Sequence, residues 1–208
     1  MPFRFPANEI EPSGDTRGDS IVVVSGLPRS GTSMMMKMLE VGGLEILTDH
    51  IRTADVSNPK GYYEFERVKK LKEGDTEWLV DARGKAVKVI SALLEYLPSD
   101  YHYKIIFMKR NLEEILASQK KMLVTRGEPT DKVSDEKLAQ LYRKHLNQVE
   151  VWLAQQANME VIFTSYNESL ADLDTHVAAI NQFLGGNMNT AQMLEVVDES
   201  LYRQRRKR

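Results

Sequence analysis

Residues 26–33 read Gly-Leu-Pro-Arg-Ser-Gly-Thr-Ser and directly follow an apolar, β-branched run, Ile21–Val24. A loop between a buried strand and a helix directs backbone N–H groups, and the positive end of the helix dipole, at an anion. The spacing is that of a P-loop, but Thr32 stands where a lysine usually follows the second glycine. The positive charge lies inside the loop instead. The segment predicts an anion site formed by Arg29, Ser30, Gly31, Thr32 and Ser33.

A second group of anion-binding residue types follows the strand-like run Tyr103–Met108. Asn111 is a good N-cap for the next helix, and Glu114 is placed to complete a capping box with it. Ser118 lies seven residues, or about two helical turns, beyond Asn111 and so returns to nearly the same side of the helix, where it and Arg110 can reach one ligand group. A guanidinium and a hydroxyl together suit a phosphate. We therefore predict that Arg110 and Ser118 bind one phosphate at the ligand-binding edge of a parallel sheet.

The same strand argues against an ordinary nucleoside triphosphatase. Such enzymes use a strand-terminal Asp to help hold magnesium and a loop lysine to reach the phosphates. Here the strand ends in Lys109 and Arg110, and the loop lacks that lysine. The simpler interpretation is a strongly anionic ligand that is held without a metal.

Hydrophobic patterning predicts alternating strands and helices, and hence an α/β fold with a mostly parallel central sheet flanked by helices. Residues 1–19 are predicted to form a flexible N-terminal extension, residues 20–208 a single domain with a basic C-terminal tail, and residues 48–62 an ordered loop. Strands are predicted near 20–25, 44–47, 86–90, 104–109 and 159–164, and helices near 31–41, 63–73, 111–124, 134–157 and 172–184.

Composition narrows the class of protein further. The chain has 208 residues, 42% of them hydrophobic, which is typical of a globular domain. Its net charge of −2 disfavours a general nucleic-acid binder. It has no cysteine, which excludes disulfides and thiolate catalysis and is compatible with a cytoplasmic location. No apolar run is long enough to span a bilayer.

The ordered set of motifs resembles the sulfotransferases that use 3'-phosphoadenosine 5'-phosphosulfate (PAPS). The segment 26–33 is similar to their 5'-phosphosulfate loop, in the form found in the tyrosylprotein and bacterial branches, and Lys104–Gln119 is similar to their 3'-phosphate motif. Val161–Leu170 and Ile180–Gly185 resemble their later strand, its tyrosine-containing turn and a Phe-Leu-Gly helix end. The resemblance implies a P-loop-like fold, PAPS as donor and adenosine 3',5'-bisphosphate (PAP) as product, without a metal.

The resemblance also implies roles for individual residues. Lys88 matches a family lysine that contacts the transferred group, with Lys85 as the alternative, and Tyr166 is expected to line the nucleotide site. The family's cytosolic branch has a His two positions after that lysine, where this chain has Ile90, which cannot accept a proton. Glu64 is the preferred general base. The substitutes left open are Glu66, Asp49 and His50.

The C-terminus carries five basic residues among its last six, but lacks the glycine-containing pattern with which the family covers the 3'-phosphate. Arg203 or Arg205 is a candidate substitute, against the alternative of a solvated tail. The leading function is sulfuryl transfer to a hydroxyl or amine of a small-molecule, glycan or peptide acceptor, without a nucleic-acid or membrane partner. The alternatives are a non-catalytic PAPS- or PAP-binding module and a P-loop kinase.

Overall fold

A four-stranded, all-parallel sheet forms the centre of the computed structural model, which describes residues 20–49, 51, 61–130 and 133–197. The strands are β1 (Ile21–Gly26), β2 (Ala86–Lys88), β3 (Tyr103–Lys109) and β4 (Met159–Ser165), in the order β2-β1-β3-β4. Helices cover the sheet, as the α/β prediction requires. The predicted extension at 1–19 and the basic tail lie outside the described residues.

The helices follow the predicted alternation, with several differences. The segment predicted as a helix near 63–73 is a 3₁₀ helix over Glu66–Glu73. Four short helices were not predicted: the 3₁₀ helices Glu77–Val80 and Ser91–Tyr96 and the α-helices Tyr166–Ala171 and Thr190–Leu194. None of the described helices is long and apolar enough to cross a membrane. The helices are α1 (Thr32–Val41), α2 (Leu112–Thr125), α3 (Asp135–Leu153), α4 (Tyr166–Ala171), α5 (Leu173–Phe183) and α6 (Thr190–Leu194).

The strand predicted near 44–47 is only a single parallel bridge between Ile46 and Ala86. Two backbone hydrogen bonds hold it, from Leu47 N to Ala86 O and from Ala86 N to Glu45 O, each 2.8 Å long. Because β2 itself has only three residues, it offers little length for a further strand to pair with.

Side chains of β1 alternate between two cores, one on each face of the sheet. Ile21 and Val23 are buried in the core that contains Trp78 and Phe107. Val22 and Val24 are buried on the other side, against a methionine-rich face of α1 (Met35, Met36, Met38 and Leu39). This burial fixes the register of β1, because a slip by one residue would exchange the two faces.

The register brings the functional segments to one edge. Val24 is paired with Lys88, Gly26 with Met108, and Lys109 with Ser165. Because all four strands are parallel, the segments that follow them emerge at the same carboxyl edge, where α/β proteins bind ligands.

Candidate active site

The loop between β1 and α1 makes a tight turn, in which two residues adopt a left-handed backbone conformation. Arg29 has φ +74° and Gly31 has φ +103°. A Cβ added at Gly31 would lie 2.5 Å from Cδ2 of Tyr166, so only glycine fits there without a shift of the aromatic ring. The N-cap residue of α1 is Gly31, which has no side chain with which to cap the helix. Because this ten-residue helix begins at the loop, the positive end of its dipole lies there and favours an anion.

Two serine hydroxyls at this loop are buried and have no hydrogen-bond partner within the part of the chain that the structure describes. They are Oγ of Ser25, at the end of β1, and Oγ of Ser30, in the loop. Both residues are fully buried. Buried hydroxyls are nearly always hydrogen-bonded, so these two require an explanation, and a bound group that accepts hydrogen bonds is one.

Arg29, Arg110 and Ser118 meet in one cluster, which we call the arginine cluster. Nε of Arg29 donates to Oγ of Ser118 at 2.9 Å, and Nη1 of Arg110 donates to the backbone oxygen of Arg29 at 3.1 Å. The residues come from the β1–α1 loop, the end of β3 and the middle of α2. Residues predicted separately for two anion sites are therefore in direct contact.

Arg110 is held on several sides. Its Nε donates to Oε2 of Glu114 at 3.0 Å, and its guanidinium carbon lies 4.4 Å from the ring centre of Tyr166. The side chains of Arg110 and Glu114 are only 9% and 4% exposed. A buried guanidinium is stable when it is paired and stacked in this way.

The predicted N-cap at Asn111 is confirmed, but the predicted capping box is wrong. Asn111 accepts from the backbone N of Glu113 at 2.8 Å. The backbone N of Asn111 donates to Oδ1 of Asn167 at 3.1 Å, rather than to Glu114. Glu114 pairs instead with Arg110, which offers it a charged donor.

A second group, the lysine cluster, consists of Lys88, Ser33, Tyr62 and Glu64. Nζ of Lys88 donates to the backbone oxygen of Tyr62, and lies 3.5 Å from Oγ of Ser33 and 3.8 Å from Oε1 of Glu64. The lysine side chain is 9% exposed and the glutamate side chain 21%. Thus β2 and the segment after the long loop bring the predicted lysine and the preferred base together, next to the first turn of α1.

Tyr63, between Tyr62 and Glu64, has φ +52°, which is unusual for a bulky residue. Its hydroxyl donates to Oε2 of Glu40 at 2.9 Å. Burial, and secondly this carboxylate, raises the pKa of Tyr63 well above its ordinary value. The left-handed residue turns the chain so that both of its neighbours reach Lys88.

The alternatives predicted for the base Glu64 and for Lys88 contact other residues. Asp49 accepts from the backbone N of Glu66 at 2.6 Å, and Oε1 of Glu66 lies 2.6 Å from Nζ of Lys69. Lys85 pairs with Glu45 at 2.6 Å. Three further candidates lie outside the described residues: His50, Arg203 and Arg205.

A histidine also lies near the end of β2. Nε2 of His145, on α3, is 2.8 Å from Oγ of Ser91, three residues after Lys88. Burial lowers the pKa of His145, and the charge of Glu95 opposes that shift. This contact ties α3 to the 3₁₀ helix Ser91–Tyr96.

Glu114 and Asn167 also lie at this site, although the sequence predicted only a helix-capping role for Glu114 and no role for Asn167. Nδ2 of Asn167 donates to Oε2 of Glu114 at 3.1 Å, beside Arg110. The spacing of Arg110 and Glu114 was the available signal, because residues four apart can pair. Asn167 is distant in sequence from Glu114 and Asn111, so no spacing in the sequence indicated these contacts.

A protein-family model described as "Sulfotransferase domain" matches residues 19–208. The chain therefore belongs to the sulfotransferase family. No curated protein matches its sequence.

Solved structures support the same fold. They include mouse sulfotransferase SULT7A1 complexed with PAP (19% identity, TM-score 0.54, 85% of this chain and 61% of that one) and sulfotransferase STF1 from Mycobacterium tuberculosis H37Rv (16%, 0.57, 85% and 71%). A third is the sulfotransferase domain from the curacin biosynthetic pathway (13%, 0.50, 86% and 78%). The chain thus spans about three fifths of the length of the mouse enzyme.

Proposed function

We propose that this protein transfers a sulfuryl group from PAPS to a hydroxyl or amine acceptor. The observation that carries the proposal is the arginine cluster, in which Arg29, Arg110 and Ser118 join the phosphate-binding loop to the end of β3. Two guanidinium groups beside one helix N-terminus suit a ligand with several anionic groups. Family membership supports the same conclusion.

The loop and the arginine cluster have the chemistry that such a donor needs. Arg29, the first turn of α1 and the unsatisfied hydroxyl of Ser30 would hold the 5'-phosphosulfate. Arg110 and Ser118 would hold the 3'-phosphate, and Tyr166, which lies against both Gly31 and Arg110, would line the nucleotide site. A buried hydroxyl that has no hydrogen-bond partner among the described residues fits a contact with a phosphate or sulfate oxygen.

The lysine cluster supplies the groups that the transfer requires. When bound, PAPS supplies an activated sulfuryl group, whose bond to the 5'-phosphate oxygen breaks as a bond to the acceptor atom forms. Lys88 would place positive charge at the oxygen that is released. Glu64, 3.8 Å from that ammonium, would accept the proton of the acceptor hydroxyl or amine.

The acceptor is expected to enter from the segment that carries Glu64, because the base must reach the acceptor proton. A small molecule, a glycan or a peptide each remains compatible with this proposal. Arg203 stays a prediction for the closure of the 3'-phosphate site.

Two experiments test the function in turn. The first compares the melting temperature of the protein with PAP and with ATP plus magnesium. PAP at about 100 times its dissociation constant should add about 2.7 kcal/mol to the free energy of unfolding. The substitution Arg29→Ala should remove the shift, whereas Arg143→Ala, which removes an exposed arginine of α3, should keep it. A larger shift with magnesium–ATP would contradict the proposal.

The second experiment measures transfer of labelled sulfate from PAPS to a panel of phenols, alcohols, amines, glycans and tyrosine peptides. Transfer that Lys88→Ala abolishes would support the proposal. Tight PAP binding with no transfer to any acceptor would favour a binding module that lacks catalysis.

A further inference from the structure

The carboxylate of Glu114 contacts Arg110 of the arginine cluster, and its negative charge alone would repel an anionic ligand. It is 4% exposed, and its Oε2 is 3.0 Å from Nε of Arg110. Burial of a carboxylate carries a large desolvation cost, which a paired and hydrogen-bonded geometry must offset. The residue therefore needs an explanation other than attraction of the ligand.

Asn167 shows how the carboxylate is held. Its Nδ2 donates to Oε2 of Glu114 at 3.1 Å, and its Oδ1 accepts from the backbone N of Asn111 at 3.1 Å. One amide side chain thus fixes both the N-terminus of α2 and the carboxylate in the first turn of that helix. Since Tyr166 stacks on Arg110, two adjacent residues of α4 hold the arginine and its partner.

We propose that Glu114 and Asn167 are positioning residues for 3'-phosphate recognition: they fix the guanidinium of Arg110 in the orientation in which it meets the phosphate. This inference rests on the proposed function, because it assigns the 3'-phosphate to Arg110. Arginine has a long side chain with large rotamer freedom, and a phosphate bound by a forked donor requires a defined plane. The contacts at Nε, at Nη1 and on the ring face of Tyr166 define that plane before the ligand arrives.

Two substitutions of Glu114 distinguish the effect of its hydrogen bonds from the effect of its charge. Arg110 and Asn167 both donate to Oε2 of Glu114. The amide oxygen of a glutamine can accept both hydrogen bonds, so Glu114→Gln can keep these two contacts while it removes the negative charge. Glu114→Ala removes the shared acceptor and the charge together. If Glu114 acted by charge alone, both substitutions would strengthen anion binding.

The test measures affinities for PAP and for adenosine 5'-phosphate by calorimetry, since the two ligands differ only by the 3'-phosphate. Glu114→Ala should weaken PAP binding at least tenfold and leave the affinity for adenosine 5'-phosphate within about twofold. Glu114→Gln should bind PAP as tightly as the unaltered protein or more tightly. The control, Glu168→Gln, removes the exposed carboxylate that follows Asn167 in α4 and should change neither affinity.

Asn167→Ala provides a second variant in case Glu114→Ala does not fold, since it leaves the charge of the cluster unchanged. It should also weaken PAP binding selectively, about five- to tenfold. Unchanged PAP affinity in Asn167→Ala, or tighter PAP binding by Glu114→Ala, would overturn the inference. Failure of the proposed function itself is distinct: the unaltered protein would then bind PAP no better than adenosine 5'-phosphate.

Discussion

Replacement of the carboxylate in the lysine cluster tests the chemistry most specifically. In Glu64→Gln the side chain keeps its shape but can no longer accept the acceptor proton. A positioned base contributes about 100- to 10,000-fold to a rate. At about 1.4 kcal/mol per tenfold, this corresponds to about 3–5 kcal/mol of the activation barrier. We therefore expect turnover to fall at least 100-fold.

The structure separates this loss from loss of stability or of donor binding. Glu64→Gln keeps a polar side chain beside Nζ of Lys88, and this ammonium still donates to the backbone oxygen of Tyr62, so the protein should remain folded and a thermal melt measures any loss of stability. The charge that is removed lies beside Lys88, outside the arginine cluster. PAP affinity should therefore stay within about threefold of the original value.

The assay is initial-rate transfer of labelled sulfate at saturating PAPS, together with calorimetry of PAP and a thermal melt. Glu66→Gln is the matched control: it makes the same change two residues further along, at a carboxylate that pairs with Lys69. Its turnover should equal that of the unaltered protein. The reasoning would be refuted by full turnover in Glu64→Gln, or by a large loss in Glu66→Gln with none in Glu64→Gln.

Two further predictions concern stability. Arg29→Gly removes the strain of a left-handed residue, a gain of about 1 kcal/mol, and also removes the hydrogen bond to Ser118, a loss of similar size. Denaturant unfolding should therefore give a free energy of unfolding within about 1 kcal/mol of the original. PAP affinity should fall at least tenfold, and retained affinity would contradict the role of the arginine. His145 has a lowered pKa in the folded protein, so its stabilising contribution is complete above the unfolded pKa of about 6.5 and declines as the pH falls through the folded value. Between pH 7.5 and pH 5 the unaltered protein should therefore lose more unfolding free energy than His145→Asn, and equal losses would refute this assignment.

The sequence predicted most of the features that depend on local pattern. The β-branched run before Gly26, the helix predicted near 31–41 and the cap at Asn111 each depend on a few neighbouring residues, and the structure has all three. The parallel order of the strands then brings Arg29 and Arg110 to one edge, so their proximity followed from topology.

Features that depend on contacts between residues distant in sequence could not be predicted from the sequence. The helix predicted near 63–73 is 3₁₀, which has three residues per turn and so places Val68 and Leu71 on one buried face. Asp49 fixes the start of this helix by accepting from the backbone N of Glu66. Likewise, the amide of Asn167 takes the place of Glu114 at the backbone N of Asn111, a choice that only tertiary structure determines.

The central claim is that Arg29 and Arg110 form one site for an adenine nucleotide with anionic groups at both its 5' and 3' ends. Calorimetric titration of PAP in the presence of EDTA, with the unaltered protein, Arg29→Ala and Arg110→Ala, tests it directly. We expect one molecule of PAP per chain without any divalent ion, and at least tenfold weaker binding in each variant. PAP binding that requires magnesium, or that survives both substitutions unchanged, would contradict the account.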